Sequence, residues 1–275
     1  MDRTSPHTPL TSKDNKTIKF LASLADPKAR KNERVFLVEG VKIVEEALRD
    51  QAGVRRVIAS PSLTQHHGKG VIKLAEKQNV PILWISERLM DQIAESKTPQ
   101  PVMAEVGMKE YGEDELLSRP AGLIVLCHEL QDPGNLGTII RTAEAVGASG
   151  IAITSRTVDA YNPKTVRATM GSILRVPVVR IDDPDGFLRS SSARGFQTIA
   201  LALGAGESVF NLDLTKPSVL LFGQEGSGLP HDFSAAADTL RARIPMAATI
   251  DSLNVATSAA VVLYEALRQR SNNRH

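Results

Sequence analysis

One cysteine, no long apolar run and almost no net charge are what this 275-residue chain offers first. With Cys127 alone, an intrachain disulfide and a cysteine-built metal cluster are excluded. Cys127 lies in the apolar stretch GLIVLC and reads as a small buried hydrophobe rather than a nucleophile. No apolar stretch approaches the roughly 18–20 residues a membrane helix needs. The opening MDRTSPHTPLTSKDNK lacks the apolar core of a secretory segment. The expectation is therefore a cytoplasmic protein with no membrane partner. There is no repeat and no low-complexity tract, and no metal is expected. A net charge of +2 does not identify a partner by itself.

What is present is 42% hydrophobic and 23% charged residues, the balance of a globular chain. Residues 1–12 read as a disordered tail. From 13 to 107 helical and strand patterns alternate: a helix at Thr17–Leu24, the strand RVFLVEG, the amphipathic VKIVEEALRD, the strand RRVIAS, the helix GVIKLAEKQN, the strand VPILWIS, and a helix opened by Ser86. That makes a small α/β unit. Lys13, Lys16, Arg30 and Arg34, in a basic cluster with few acids, are its candidate phosphate contacts. The polar stretch 108–120 reads as a linker. Beyond it, from 121 to 275, GLIVLC, GIAIT, VPVVRI, TIALAL, SVLLFG and RARIPM alternate with helical segments. This is the pattern of a parallel sheet in a doubly wound domain. In such sheets ligands sit beyond the carboxyl ends of the strands.

Three polar segments fall at such ends. In QDPGNLGTIIRTAEAVG, Asn135 is placed to cap a helix, and Thr138, Arg141 and Ala145 share its face. Arg141 sits on an otherwise apolar helix, so an ion pair with Glu144 or Glu225 is the structural alternative to a functional role. In FGQEGSG, glycines bring the backbone close to a ligand or simply turn the chain; no GK[ST] follows and the spacing is not GxGxxG, which argues against nucleotide loops. In IPMAATIDSLNVATS the strand runs out at Pro245 and Met246, and Ser252 or Asp251 is placed to cap the last helix, with Asn254 in its first turn.

Taken in order, N-x-G-x-x-x-R, GxEGxG and IPM followed by SLNVxxSxAxxxYE resemble the three motifs of the SpoU (TrmH-type) RNA 2′-O-ribose methyltransferases of the SPOUT superfamily. The likeness runs from Leu123 to about Arg270. NPKTVRATMGS resembles the family's linking region, and FLVEGVKIVEEAL resembles the small kink-turn-binding ribosomal-protein type of domain fused to such enzymes. The resemblance implies a parallel sheet with a C-terminal trefoil knot, a homodimer, and S-adenosylmethionine as methyl donor, leaving S-adenosylhomocysteine. It carries cofactor binding onto Leu203, Gly204, Gly223, Glu225, Gly226, Ile244, Met246, Ser252, Leu253 and Asn254. It places the catalytic work on Arg141 and Asn135, with Ser252 and Asn254 bounding the site. Because a guanidinium stays protonated, Arg141 is expected to contact the 2′-hydroxyl or stabilise its developing alkoxide, with a substrate phosphate aiding proton loss. Ribosomal RNA is the favoured substrate. A tRNA enzyme of the same family and a non-catalytic RNA-binding knot protein are the rivals. A Rossmann-type nicotinamide enzyme is disfavoured, since the GNLGTI that follows GLIVLC lacks its glycine pattern.

Overall fold

The computed structural model describes residues 8–64, 68–119, 122–226, 228–230, 239–247, 249 and 252–272. Two compact units account for them. One runs to Lys109 and includes Tyr161–Leu174; the other holds Glu110–Ala160 and the chain from Arg175.

The first unit is built from α1 (Lys16–Ser23), α2 (Pro27–Glu33), β1 (Val35–Glu39), α3 (Val41–Arg49), β2 (Val54–Ala59), α4 (Lys69–Lys77), β3 (Ile82–Trp84), α5 (Glu87–Ile93) and β4 (Val102–Gly107). Its sheet has the order β1-β4-β2-β3, with β4 antiparallel to both β1 and β2. The sequence patterns had pointed to β1, β2 and β3 but not to β4, the strand that joins them. Glu105 interrupts β4's apolar run, yet it is buried because Arg56, its register partner on β2, places Nε 2.9 Å from the carboxylate. A later segment, α8 (Pro163–Ala168), is capped by Asn162, whose side chain accepts from the Lys164 amide, and it packs on β1.

Two expectations for this unit are corrected. The predicted tail is ordered before its end: the Leu10 amide donates to Trp84 O at 2.9 Å, and Leu10 O accepts from the Ser86 amide at 2.8 Å. Residues 1–7 lie outside the described residues. Arg30, a proposed phosphate contact, is 1% exposed. Its guanidinium donates to Leu24 O at 2.7 Å and Ala25 O at 2.8 Å, carbonyls left open at the end of α1. An arginine whose charge is sunk into a helix terminus does not reach RNA.

The second unit contains α6 (Glu113–Leu117), β5 (Leu123–Cys127), α7 (Pro133–Ala145), β6 (Gly150–Thr154), β7 (Val178–Ile181), α9 (Pro184–Ala193), β8 (Gln197–Leu201), β9 (Glu207–Ser208), β10 (Ser218–Phe222), β11 (Thr239–Arg243) and α10 (Val255–Asn272). Seven strands pair in the order β7-β6-β5-β10-β8-β11-β9, and every pairing is parallel. β5, β6 and β10 are buried at every residue, which is why their sequences read as unbroken apolar runs. In the stretch read as a linker, α6 buries Leu116 and Leu117 in the same core as Ile124, Leu126 and Leu221. Its polar character comes from Glu113, Asp114 and Glu115, which occupy the helix's first turn where its dipole favours acids. No described helix is long and apolar enough to cross a membrane.

Candidate active site

The loops after β8 and β10, the end of β11 and the approach to α10 enclose one cavity of about 480 Å³. That volume lies in the range of pockets for drug-sized ligands. Leu201, Ala202 and Leu203 line it from β8; Phe222, Gly223, Gln224, Glu225, Gly226, Gly228 and Leu229 from β10; Arg241, Ala242, Arg243, Ile244 and Met246 from β11; Ser252, Leu253, Asn254, Val255 and Ser258 from the start of α10. The β10 loop holds its shape by folding on itself. Gln224 and Gly228 exchange backbone hydrogen bonds at 3.1 and 2.9 Å. A Cβ on Gly223 would stand 2.3 Å from the Gly228 backbone, so no other residue fits there.

Side chains tie the rim together across the sequence. Asp132, not Asn135, caps α7: its carboxylate accepts from the Asn135 amide at 2.7 Å. Asn135 is left free to use its own side chain, which donates from Nδ2 to Glu225 Oε1 at 2.9 Å. Asn254 donates from Nδ2 to Asn135 Oδ1 at 3.0 Å, while its own Oδ1 accepts from the amides of Ala256 at 2.9 Å and Thr257 at 3.2 Å. Asn254 is therefore the cap of α10, the place expected for Ser252 or Asp251. Asp251 lies outside the described residues, and Ser252 is exposed on the cavity wall. β11 ends at Arg243 rather than at Met246, which frees Ile244 and Met246 to turn their side chains into the cavity wall.

Of the ten residues expected to bind cofactor, nine line this cavity. The exception, Gly204, occupies the turn beyond Leu203 with φ +73°. Arg141 does not line it. It stands on α7 in an exposed stripe with Thr138 and Ala145, and among the described residues it makes no ion pair. Glu144 instead pairs with Arg175, and Glu225 takes the amide of Asn135, so neither structural partner foreseen for Arg141 holds it. Sequence reasoning missed Arg241 and Arg243. Both are exposed on the cavity side of β11, and the alternation R-A-R in the strand was the clue.

Burial pushes the Cys127 thiol up, and the nearby Glu225 carboxylate pushes it the same way, so it stays protonated and inert. At the same end of the sheet, burial holds the His128 imidazole below its usual value. Glu129 opposes that shift and Arg156, which pairs with Glu129, adds to it.

A doubly wound parallel sheet whose carboxyl end holds a partly apolar cavity beside a polar rim defines an α/β enzyme that binds an amphipathic small molecule there. The chain belongs to the SpoU rRNA Methylase family, which it matches over residues 122–264, and residues 15–104 match the MRM3-like substrate binding domain. Among curated proteins it is 31% identical to a 23S rRNA (uridine(2479)-2′-O)-methyltransferase of Streptomyces viridochromogenes, over 99% of this chain and 96% of that one. It is likewise 31% identical to the 23S rRNA (guanosine(2553)-2′-O)-methyltransferase RlmP of Bacillus subtilis, over 93% of this chain and 97% of the other. The AdoMet-bound rRNA methyltransferase from Sinorhizobium meliloti superposes with a TM-score of 0.83 at 34% identity, covering 94% of this chain and 97% of that one. The SpoU methyltransferase AviRb from Streptomyces viridochromogenes, solved with AdoMet, gives the same TM-score at 30% identity over 94% and 98%.

Proposed function

We propose that the protein transfers a methyl group from S-adenosylmethionine to a ribose 2′-hydroxyl of RNA, with ribosomal RNA preferred to transfer RNA. The observation that carries this reading is that the second and third motif segments line one cavity and the first is joined to both side chain to side chain, Asn135 bridging Glu225 and Asn254. The cavity's chemistry fits the cofactor. Ile244, Met246 and Leu253 are half-buried apolar side chains that an adenine would cover, and Leu203 is a 64% exposed apolar side chain on the same wall. Gly223 and Gly226 let the β10 backbone approach the ligand, and Ser252 bounds the same wall. Bound there, the sulfonium supplies the methyl group.

The residues' work is to place the accepting hydroxyl in line with that methyl and to hold charge as it develops. Arg141 suits the second task as a permanent cation: its guanidinium contacts the 2′-oxygen and stabilises alkoxide character, while a substrate phosphate aids loss of the proton to water. Asn135 and Asn254 hold the rim beside it.

Arg141 lies six residues beyond Asn135, about 9 Å along the helix axis, and is exposed. We read the exposed stripe of α7, with Tyr264 54% exposed on α10, which packs against α7, as the face of a homodimer that brings Arg141 into enclosed surroundings. The knot belongs to the same reading. β11 lies beyond β8 from β5, yet α10 returns to α7, so the chain passes the loops after β8 and β10 on its way back. Lys13, Lys16 and Arg34, all exposed, are the remaining candidates for RNA contact in the first unit, and the cytoplasm is the site of action that goes with this reading.

The test is transfer of labelled methyl from S-adenosylmethionine to ribosomal RNA and to transfer RNA, with ribose methylation mapped by its resistance to alkaline cleavage. A single 2′-O-methylated ribosomal nucleotide is expected. Methylation of a base, or RNA binding with no transfer to either RNA, overturns the reading, and the second result favours the non-catalytic alternative.

A further inference from the structure

We propose that Glu225 is a positioning residue whose carboxylate, by accepting from Asn135 at one end of a relay that the α10 amides close at the other through Asn254, holds the cavity rim in one hydrogen-bond register.

Donor and acceptor chemistry dictates the register. An ionised carboxylate only accepts, so the side chain 2.9 Å from Glu225 Oε1 must present Nδ2. That turns Asn135 Oδ1 the other way, and an amide oxygen only accepts, so Asn254 must present its Nδ2 across 3.0 Å. Asn254 Oδ1 then points at the amides of Ala256 and Thr257, which only donate. The relay is closed at one end by an acceptor and at the other by helix N–H groups. Turning over either amide would set oxygen against oxygen or N–H against N–H at two contacts. Its direction is therefore fixed from both ends, and Asn135 has to present Nδ2 to one neighbour and Oδ1 to the other. The links join residues 90 and 119 positions apart, so local chain geometry does not enforce them. Asp132 anchors the middle member from its main chain. Glu225 and Asn254 are themselves cavity walls, so a rim without fixed direction is a cavity without fixed shape.

The effect on cofactor rests on the proposed function; the relay itself does not. The full chain carries both tests, with S-adenosylmethionine affinity by calorimetry and Tm without ligand. In Glu225→Gln the α10 amides still fix Asn254 and, through it, Asn135, so the new Gln presents Oε1 to Asn135 Nδ2, a neutral hydrogen bond replaces a charge-assisted one, and the Kd rises only about threefold. In Asn135→Asp two carboxylates face each other, with a larger loss in Kd and a lower Tm. In the double variant E225Q/N135D, the new Asp accepts from the new Gln and from Asn254 Nδ2, and the cap on α10 is as before. The double variant should return to within about threefold of the wild-type Kd, with Tm restored above that of Asn135→Asp alone. A double variant whose losses in Kd and Tm add up from the two singles overturns the relay. Should the wild type not bind S-adenosylmethionine at all, the proposed function fails, and the Tm cycle alone still decides the relay.

Discussion

Arg141 and Arg30 show how little a residue's type says without its surroundings. Both are arginines on helices, and both read from sequence as functional cations. Arg30 turns back on the end of α1 and spends its guanidinium on two carbonyls; Arg141 stays exposed and makes no ion pair among the described residues. The consequences differ in kind. Arg30→Ala removes a buried charged donor from two carbonyls, which costs about 2–4 kcal/mol of stability in a urea titration. Its RNA affinity, at a temperature where the variant is folded, should match the wild type. Arg141→Ala should do the reverse: unchanged unfolding, S-adenosylmethionine Kd within about twofold, and a fall in kcat of roughly 10²–10³, the scale on which one charge-stabilising donor acts. Arg141→Lys should recover little of that, since a point charge lacks the planar fork. A kcat that survives Arg141→Ala removes Arg141 from the reaction.

At the scale of elements, the parts of the site that were legible in the sequence are those where backbone geometry demands particular residues. FGQEGSG is legible as a tight loop because the chain leaving β10 passes the Gly228 backbone too closely to admit a side chain at Gly223. The helix starts were legible but their caps were misplaced. Around α7 and α10 several capping residues stand within a few positions of each other, and tertiary partners choose between them: Asn135 is drawn to Glu225, leaving the cap to Asp132, and Asn254 caps α10 while reaching Asn135. Local propensity cannot rank such neighbours, because the deciding partner is about a hundred residues away. β4 escaped for the same reason, its Glu105 making sense only beside Arg56. The loop's demand for glycine is testable on its own. Gly223→Ala forces the Gly223 and Gly228 backbones apart, and should weaken S-adenosylmethionine binding by more than tenfold. Gly226→Ala, where a Cβ meets nothing within 4 Å, should leave it near wild type. Equal effects from the two would mean that the loop's fold does not shape the cavity.

For the whole molecule, the division into two units follows from chemistry that each handles separately. The second unit has the cavity, the relay and the parallel sheet; the first has a mixed sheet and an exposed basic cluster, and matches a substrate-binding domain. Net charge hid that cluster, because +2 is a sum over 33 basic and 31 acidic residues in which local excess cancels. Even within the cluster the fold subtracts: Arg30 is buried and Lys19 lies 2.9 Å from Asp14, while Lys13, Lys16 and Arg34 are exposed. If these three meet phosphates, each displaces counterions, and the logarithm of RNA affinity falls with the logarithm of salt by about 0.7 per contact on single strands. The triple variant K13A/K16A/R34A should therefore bind RNA more weakly at low salt and flatten that slope by about 2. S-adenosylmethionine affinity should hold, because none of the three lines the cavity. An affinity and slope equal to the wild type's would place the RNA on another face of the molecule, and a weakened affinity with an unchanged slope would mean that the lysines and arginine shape the unit rather than touch phosphate.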